Sequence, residues 1–300
     1  MPRLNRAASA YMAKRAVARG DDRSPAPPRP VRYLWVPIPA QETIIARILQ
    51  EIDDVCDPDS RPVIVLSGPS GMGKSLLLRE LERRCLARHQ PPPDLKPGHR
   101  HKPLLRSILS SASGPQNVAI DIRHWQGFPT PSTHYPSAQN RVIEAMAQQG
   151  TRALAVDRAS TILDHGPRTQ QEVLKVIGYI GEAASVPVIL AGTMAAKDMF
   201  TRVNDPYAVL ADRAIYLKLE RWELDDRFQK LLLAFGEGYE LQDFERIAEE
   251  SYAERFHELS FGTTRGVARG LRRAMRLMEA ERANALSLRH VEEAFGQFRP

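Results

Sequence analysis

Cysteine is nearly missing from this chain: Cys56 and Cys85 are the only two among 300 residues. Two isolated thiols offer neither a disulfide framework nor the spacing of a metal site, and both fall in stretches with helical patterning. They read as core thiols of a reducing compartment. Long apolar runs are also absent. None approaches the roughly 18 residues of a bilayer span, which excludes a membrane-spanning role. Charge of one sign is scarce outside a single segment. Residues 1–32 hold eight Lys and Arg against Asp21 and Asp22, and the remaining 34 basic and 34 acidic residues cancel, so this tail carries the whole formal charge of +6. A basic tail on a neutral body suits a polyanionic or acidic partner, or a solvated arm.

The tail ends in "SPAPPRP", which cannot continue a helix and marks a boundary near residue 33. Beyond it, strands and helices alternate. "PAQETIIARILQEIDDV" has helical spacing at Ile44, Ile45, Ile48, Leu49 and Ile52. Val63 to Leu66 reads as a buried strand and Ser75 to Arg88 as a helix. "QPPPDLKPGHRHKP" reads as a surface loop and "QNVAIDIRHW" as a second strand. A helix in "SAQNRVIEAMAQQG", the strand "RALAVD", a helix in "RTQQEVLKVIGYIGEAAS" and the strands "VPVILAGT" and "RAIYLKLERW" complete the pattern. The expected fold is α/β, an αβα sandwich on a parallel sheet over residues 33–222. No convincing strand follows Trp222, so 223–300 reads as a small helical domain.

"GPSGMGKS" fits G-x-x-x-x-G-K followed by Ser or Thr, with Gly68, Gly73, Lys74 and Ser75 in the required places. A strand precedes it and a leucine-rich helix follows, which is the context that motif needs. The segment Gly68, Pro69, Ser70, Gly71, Met72, Gly73, Lys74, Ser75 and Leu76 is the expected nucleotide cradle. Glycines let backbone N–H groups turn onto phosphate oxygens, and the helix adds its positive end. Lys74 is expected to reach the β- and γ-phosphates of ATP, and Ser75 to ligate Mg2+.

Asp157 ends the apolar strand of "ALAVDRAST" and is the expected second Mg2+ group. Where ATPases of this architecture carry a water-orienting acid next, this chain has Arg158. A guanidinium has no acceptor and cannot take a proton from water. Losing such assistance costs about 10²–10⁴ in rate, so binding should survive while turnover suffers. Asp164, Glu172 or an acid from a neighbouring copy are the candidate substitutes.

Thr193, ending "VPVILAGT", is placed to sense a γ-phosphate or to serve as a turn hydroxyl. Arg213, before the last strand, is a candidate arginine finger or a surface ion-pair partner. In "FGTTRGVARGLRRAMRLME" steps of four, three and four put Arg265, Arg269, Arg272 and Arg276 on one helical face, with Val267, Leu271, Met275 and Met278 on another. The basic face offers a sensor arginine in Arg265 and a row for DNA phosphates, or simply a solvated face. No interleaved aromatics suggest base stacking.

In this order the motifs resemble those of the TniB and TnsC group of AAA+ ATPases, which regulate DNA transposition. The likeness runs over about residues 35–295, through "VIVLSGPSGMGKSLLLRELERR", "RALAVDRASTILDHGPRTQQEVLKVIGYIGEAASVPVILAGTMAAKDMF", "LADRAIYLKLERWELDDRFQKLLLAF" and "SFGTTRGVARGLRRA". It implies an ATP- and Mg2+-dependent self-oligomer on double-stranded DNA, in a bacterial cytoplasm and on the nucleoid, that recruits or activates a transposase. Lys74 and Ser75 match the phosphate and Mg2+ contacts, Asp157 the Walker B acid, Thr193 the first sensor and Arg213 the arginine finger. Arg158 and "RASTIL" depart from the group's usual acid and its continuation. The rival readings are an ATP-gated scaffold without turnover and a replication loader of the DnaA or Orc kind.

Overall fold

The computed structural model describes residues 35–54, 61–110, 114–127, 135–193, 195–196, 213–241 and 243–296. The basic tail over 1–32, and Cys56, lie outside the described residues. Among the described residues five strands form one wholly parallel sheet: β1 (Val63–Ser67), β2 (Leu104–Ile108), β3 (Ala153–Asp157), β4 (Val188–Ala191) and β5 (Ala214–Lys218). Their order across the sheet is β2, β3, β4, β1, β5. The central strands β1, β3 and β4 are buried at every residue, which is why they read as unbroken apolar runs rather than alternating ones.

Helices α1 (Pro39–Asp53) and α2 (Lys74–Arg88) pack together, and α2 lies against β2. The other face carries α3 (Pro115–Gln126), α4 (Tyr135–Gln149) and α5 (Pro167–Ala183). Their Val118, Ile122, Val142, Met146, Val173 and Ile177 join Val65, Val156 and Leu190 of the sheet in the main core. Proline opens α1, α3 and α5 at a position where its missing N–H costs nothing. Cys85 is fully buried on α2, and burial pushes its thiol up to about 12, which makes it an inert core residue.

The second strand is a correction. "QNVAIDIRHW" is helix α3, not a strand. Val118, Ile120 and Ile122 alternate like a strand, yet the buried positions are Val118, Ala119, Ile122 and Gln126, which is helical spacing. The true β2 is "LLRSI", immediately after the polar loop.

Past Lys218 the described residues are helical. They form α6 (Asp226–Gly238), α7 (Glu250–Ser260), α8 (Thr264–Ala280) and α9 (Leu288–Gly296), with a 3-10 turn at Phe244–Ala248. Asp225 caps α6 by accepting from the N–H groups of Arg227 and Phe228, and Thr263 caps α8 by accepting from Gly266. Among the described residues no helix is long and apolar enough to cross a membrane.

Candidate nucleotide site

Strand register brings the site together. Ala191 is aligned with Leu66 on one side and Asp157 on the other, so the carboxyl ends of β1, β3 and β4 meet along one edge. The cradle leaves that edge from β1. Gly73 has φ +90°, open to glycine and strained for other residues. Having no side chain, it caps α2 only through its backbone: its carbonyl accepts from Leu76 and Leu77, and the first N–H groups of the helix have no side-chain cap. Gly68 is required for a different reason, because a Cβ there would lie 2.4 Å from the Leu219 carbonyl oxygen beside β5.

Met72 is buried and anchors the loop in the core. Lys74 Nζ donates to the Gly68 and Pro69 carbonyls at 2.7 and 2.8 Å. Burial lowers its pKa, the Asp157 carboxylate opposes that shift, and the Arg265 guanidinium reinforces it. Both charges therefore act at the Lys74 ammonium. Ser75 follows on the first turn of α2, exposed.

Asp157 is 4% exposed. Its Oδ1 accepts from the Arg158 N–H at 2.9 Å, and its Oδ2 lies 3.8 Å from Arg106 Nη1. Arg106, from β2, also sits 3.5 Å from Glu82 of α2 and over the Trp125 ring at 5.6 Å. Nothing in the sequence pattern singled it out; its signal was one arginine, followed by a serine, between the apolar ends of a five-residue strand. Arg158 is exposed in left-handed backbone (φ 60°, ψ 30°) and starts the 3-10 turn Ala159–Asp164. Asp164 closes that turn six residues past Arg158, about 12 Å along its axis by the 3-10 rise. Glu172 lies on α5, 3.3 Å from Arg168.

Thr193 is exposed two residues past Ala191, after Gly192, whose N–H donates to the Leu66 carbonyl. Arg213 sits at the opposite edge of the sheet. Its carbonyl accepts from Val63, the first residue of β1, and its Nη1 lies 3.8 Å from Glu182. The cradle follows the other end of β1, roughly 15 Å away by strand rise. Arg265 reaches the cradle from the helical region: its N–H donates to the Gly71 carbonyl at 2.8 Å. Trp222 fixes that turn by donating from Nε1 to Thr264 Oγ1 and from its N–H to the Gly262 carbonyl. On α8, Thr264, Val267, Gly270, Leu271 and Ala274 are buried, while Arg265, Arg269, Arg272 and Arg276 are exposed.

The family model described as bacterial TniB protein matches residues 32–224. The chain belongs to the TniB family. No curated protein matches it. Solved structures similar to this TniB-family chain include the Aeropyrum pernix ORC2 protein in ADPNP and ADP complexes, 14% identical over 92% of this chain and 70% of that one, TM-score 0.64. The Aeropyrum pernix ORC1 protein in complex with DNA is 18% identical over 90% and 68%, TM-score 0.59. Domain III of the Thermotoga maritima replication initiation protein DnaA is 14% identical over 91% and 100%, TM-score 0.52. At these identities the likeness is one of fold, and the TniB-family chain has the P-loop AAA+ fold with a helical C-terminal region.

The oxygen donors of this TniB-family site suit Mg2+ of a nucleotide complex. Mg2+ takes one or two protein groups plus phosphates and water, and Ser75 and Asp157 supply a hydroxyl and a carboxylate. Among the described residues no group of three or more His, Cys, Asp or Glu forms a cage for a metal by itself.

Proposed function

We propose that this protein is an ATP-binding regulator of DNA transposition that assembles on double-stranded DNA and recruits or activates a transposase, with hydrolysis slowed by Arg158. The observation that carries the reading is one arrangement. Lys74 and the opening turn of α2 lie at the end of β1, Asp157 ends β3, the next strand but one across β4, and Arg265 of the helical region is hydrogen-bonded to the cradle.

In this reading the N–H groups at the start of α2 and the Lys74 ammonium hold the phosphates, and Ser75 and Asp157 hold Mg2+. Bound Mg2+ neutralises phosphate charge. Arg265 ties the nucleotide state to the helical region through Gly71. Arg158 cannot draw a proton from an attacking water, because it has no acceptor. A long-lived ATP state then means long residence on DNA.

Three features support the assembly. Arg213, remote from its own cradle, is available to a neighbouring copy's nucleotide. The exposed arginines of α8 offer a row of phosphate contacts. The basic tail over 1–32 adds attraction for DNA or for an acidic partner. Nucleotide and DNA in the ORC structures support the same ligands here, and the family match favours transposition over replication loading. Such a protein works in the cytoplasm, on the nucleoid.

The test is steady-state ATP hydrolysis with saturating duplex DNA for wild type, Arg158→Glu and Lys74→Ala, with ATP binding in parallel. Wild type is expected to bind ATP yet turn over near the Lys74→Ala level, and Arg158→Glu to gain activity. Fast wild-type hydrolysis would sink the role given to Arg158; absence of ATP binding would sink the whole reading.

A further inference from the structure

Phe261 is out of place for a residue whose only task is to end a helix. It is 74% exposed, and it caps α7 in left-handed backbone (φ 53°, ψ 36°). That position favours glycine, and a bulky side chain there is strained. Exposure leaves little packing to compensate. Strain of this kind gathers at functional sites.

Its surroundings are chemically specific. Phe261 lines a cavity of about 260 Å³ with Ser70, Arg265, Arg269, Arg273 and Phe295. Among the described residues lining it, none is acidic. The floor is aromatic: Gly270 gives Phe295 its place, since a Cβ there would fall 2.1 Å from the ring, and Phe256 meets Phe295 edge-on at 6.3 Å. Desolvation, with the neighbouring Arg269 and Arg276 charges adding to it, holds the Arg273 pKa below the usual arginine value.

The geometry points to a nucleobase site: an unpaired or unstacked base of DNA docks on Phe261 while the adjoining backbone phosphates meet Arg269 and Arg273. A flat π face beside guanidinium groups is the chemistry of single-stranded nucleic-acid binding, tolerant of sequence because every base offers a face. A protein partner would instead have to meet these guanidinium groups with carboxylates of its own. This inference rests on the DNA-binding reading above and narrows its substrate to DNA that is opened or distorted. The cavity shares Ser70 and Gly71 with the phosphate cradle, so base docking and nucleotide binding are coupled, and coupled reciprocally.

The experiment uses the full chain with ATP and two labelled DNAs of one sequence, a fully paired duplex and the same duplex with a two-base mismatch bubble. Wild type is expected to bind the bubble about tenfold more tightly, the scale of one stacked base. Phe261→Gly should bring that ratio close to one, and Phe261→Trp should keep it. Phe261→Gly should also raise Tm by about 2–4 °C by relieving backbone strain; a fall in Tm would mark Phe261 as structural and overturn the site. Equal wild-type affinity for the two DNAs, or a preference that persists in Phe261→Gly, overturns the inference and leaves DNA binding intact. Equal affinity accompanied by Phe261-dependent self-association assigns the residue to protein contact and also overturns it. Binding of neither DNA removes the DNA reading itself.

Discussion

Arg106 Nη1 lies 3.8 Å from Asp157 Oδ2, a guanidinium of one strand set against the acid that ends the next. Both side chains are at most 10% exposed, and Arg106 is held further by Glu82 and the Trp125 ring. Asp157 thus has a cationic neighbour from its own sheet as well as the one it would meet in Mg2+.

Removing one member of that pair leaves a buried charge uncompensated. Arg106→Met is expected to cost about 3 kcal/mol, at the low end for a buried pair because the contact is loose. The double variant Arg106→Met/Asp157→Leu should cost clearly less than the two single losses added together. Denaturant unfolding of the four proteins checks this. Additive losses would show that the two groups do not interact.

Glu80 makes the corresponding case on α2. Its side chain is 1% exposed and is held by Arg83 and Arg84, and Arg84 reaches on to Glu42 of α1. The Arg83 hydrogen bond, against the opposing effect of burial and with help from Arg84, keeps the Glu80 carboxyl below its ordinary value of 4.5. A depressed carboxyl contributes stability that is present above 4.5 and lost as pH falls through the folded value. Glu80→Gln should therefore lower stability at neutral pH by about 2 kcal/mol, and its deficit should shrink on acidification. Melting curves taken downward from neutral pH test it, and a deficit that stays constant would be the wrong outcome.

What the sequence disclosed follows from where the physics is local. Apolar runs at β1, β3 and β4 are legible because those strands are buried on both faces. The cradle is legible because its spacing is dictated by backbone turns within eight residues. β2 was hidden because Arg106 and Ser107 interrupt its apolar character, and α3 was mistaken because three β-branched residues alternate through it. Arg106 beside Asp157 is a contact between segments far apart in sequence, so no local pattern could announce it, whereas Arg265 beside Gly71 was foreshadowed by the arginine stripe that offered it as a sensor, although not by its backbone contact. Phe261 was visible as a letter, while its exposure and backbone were not.

Arg213 and Lys74 sit at opposite edges of the sheet, which gives the assembly a complementation test. An arginine finger acting in trans is worth at least about 10³ in rate. In an Arg158→Glu background, Arg213→Ala and Lys74→Ala should each be nearly inactive. Mixed together, they form interfaces in which an intact cradle meets an intact Arg213, and turnover should return. A mixture no faster than the average of its components would show that Arg213 does not complete a neighbour's site.

Lys74 sets a pH dependence with two opposite signs. Burial lowers its pKa from 10.5, with Arg265 adding to the shift and Asp157 opposing it. Between the lowered value and 10.5 the unfolded lysine holds a proton that the folded one has released, so the unfolded chain binds more protons and the Lys74 contribution to stability rises with pH. ATP affinity should move the other way, because phosphates are attracted to the ammonium and not to the amine. Lys74→Arg, protonated throughout, should show a flat affinity in that window. Calorimetric ATP titrations of wild type and Lys74→Arg at stepped alkaline pH, with melting curves alongside, separate the two slopes. If wild-type affinity stays as flat as that of Lys74→Arg up to 10.5, Lys74 keeps its proton in the folded cradle, and the cost of burying it is met by Asp157.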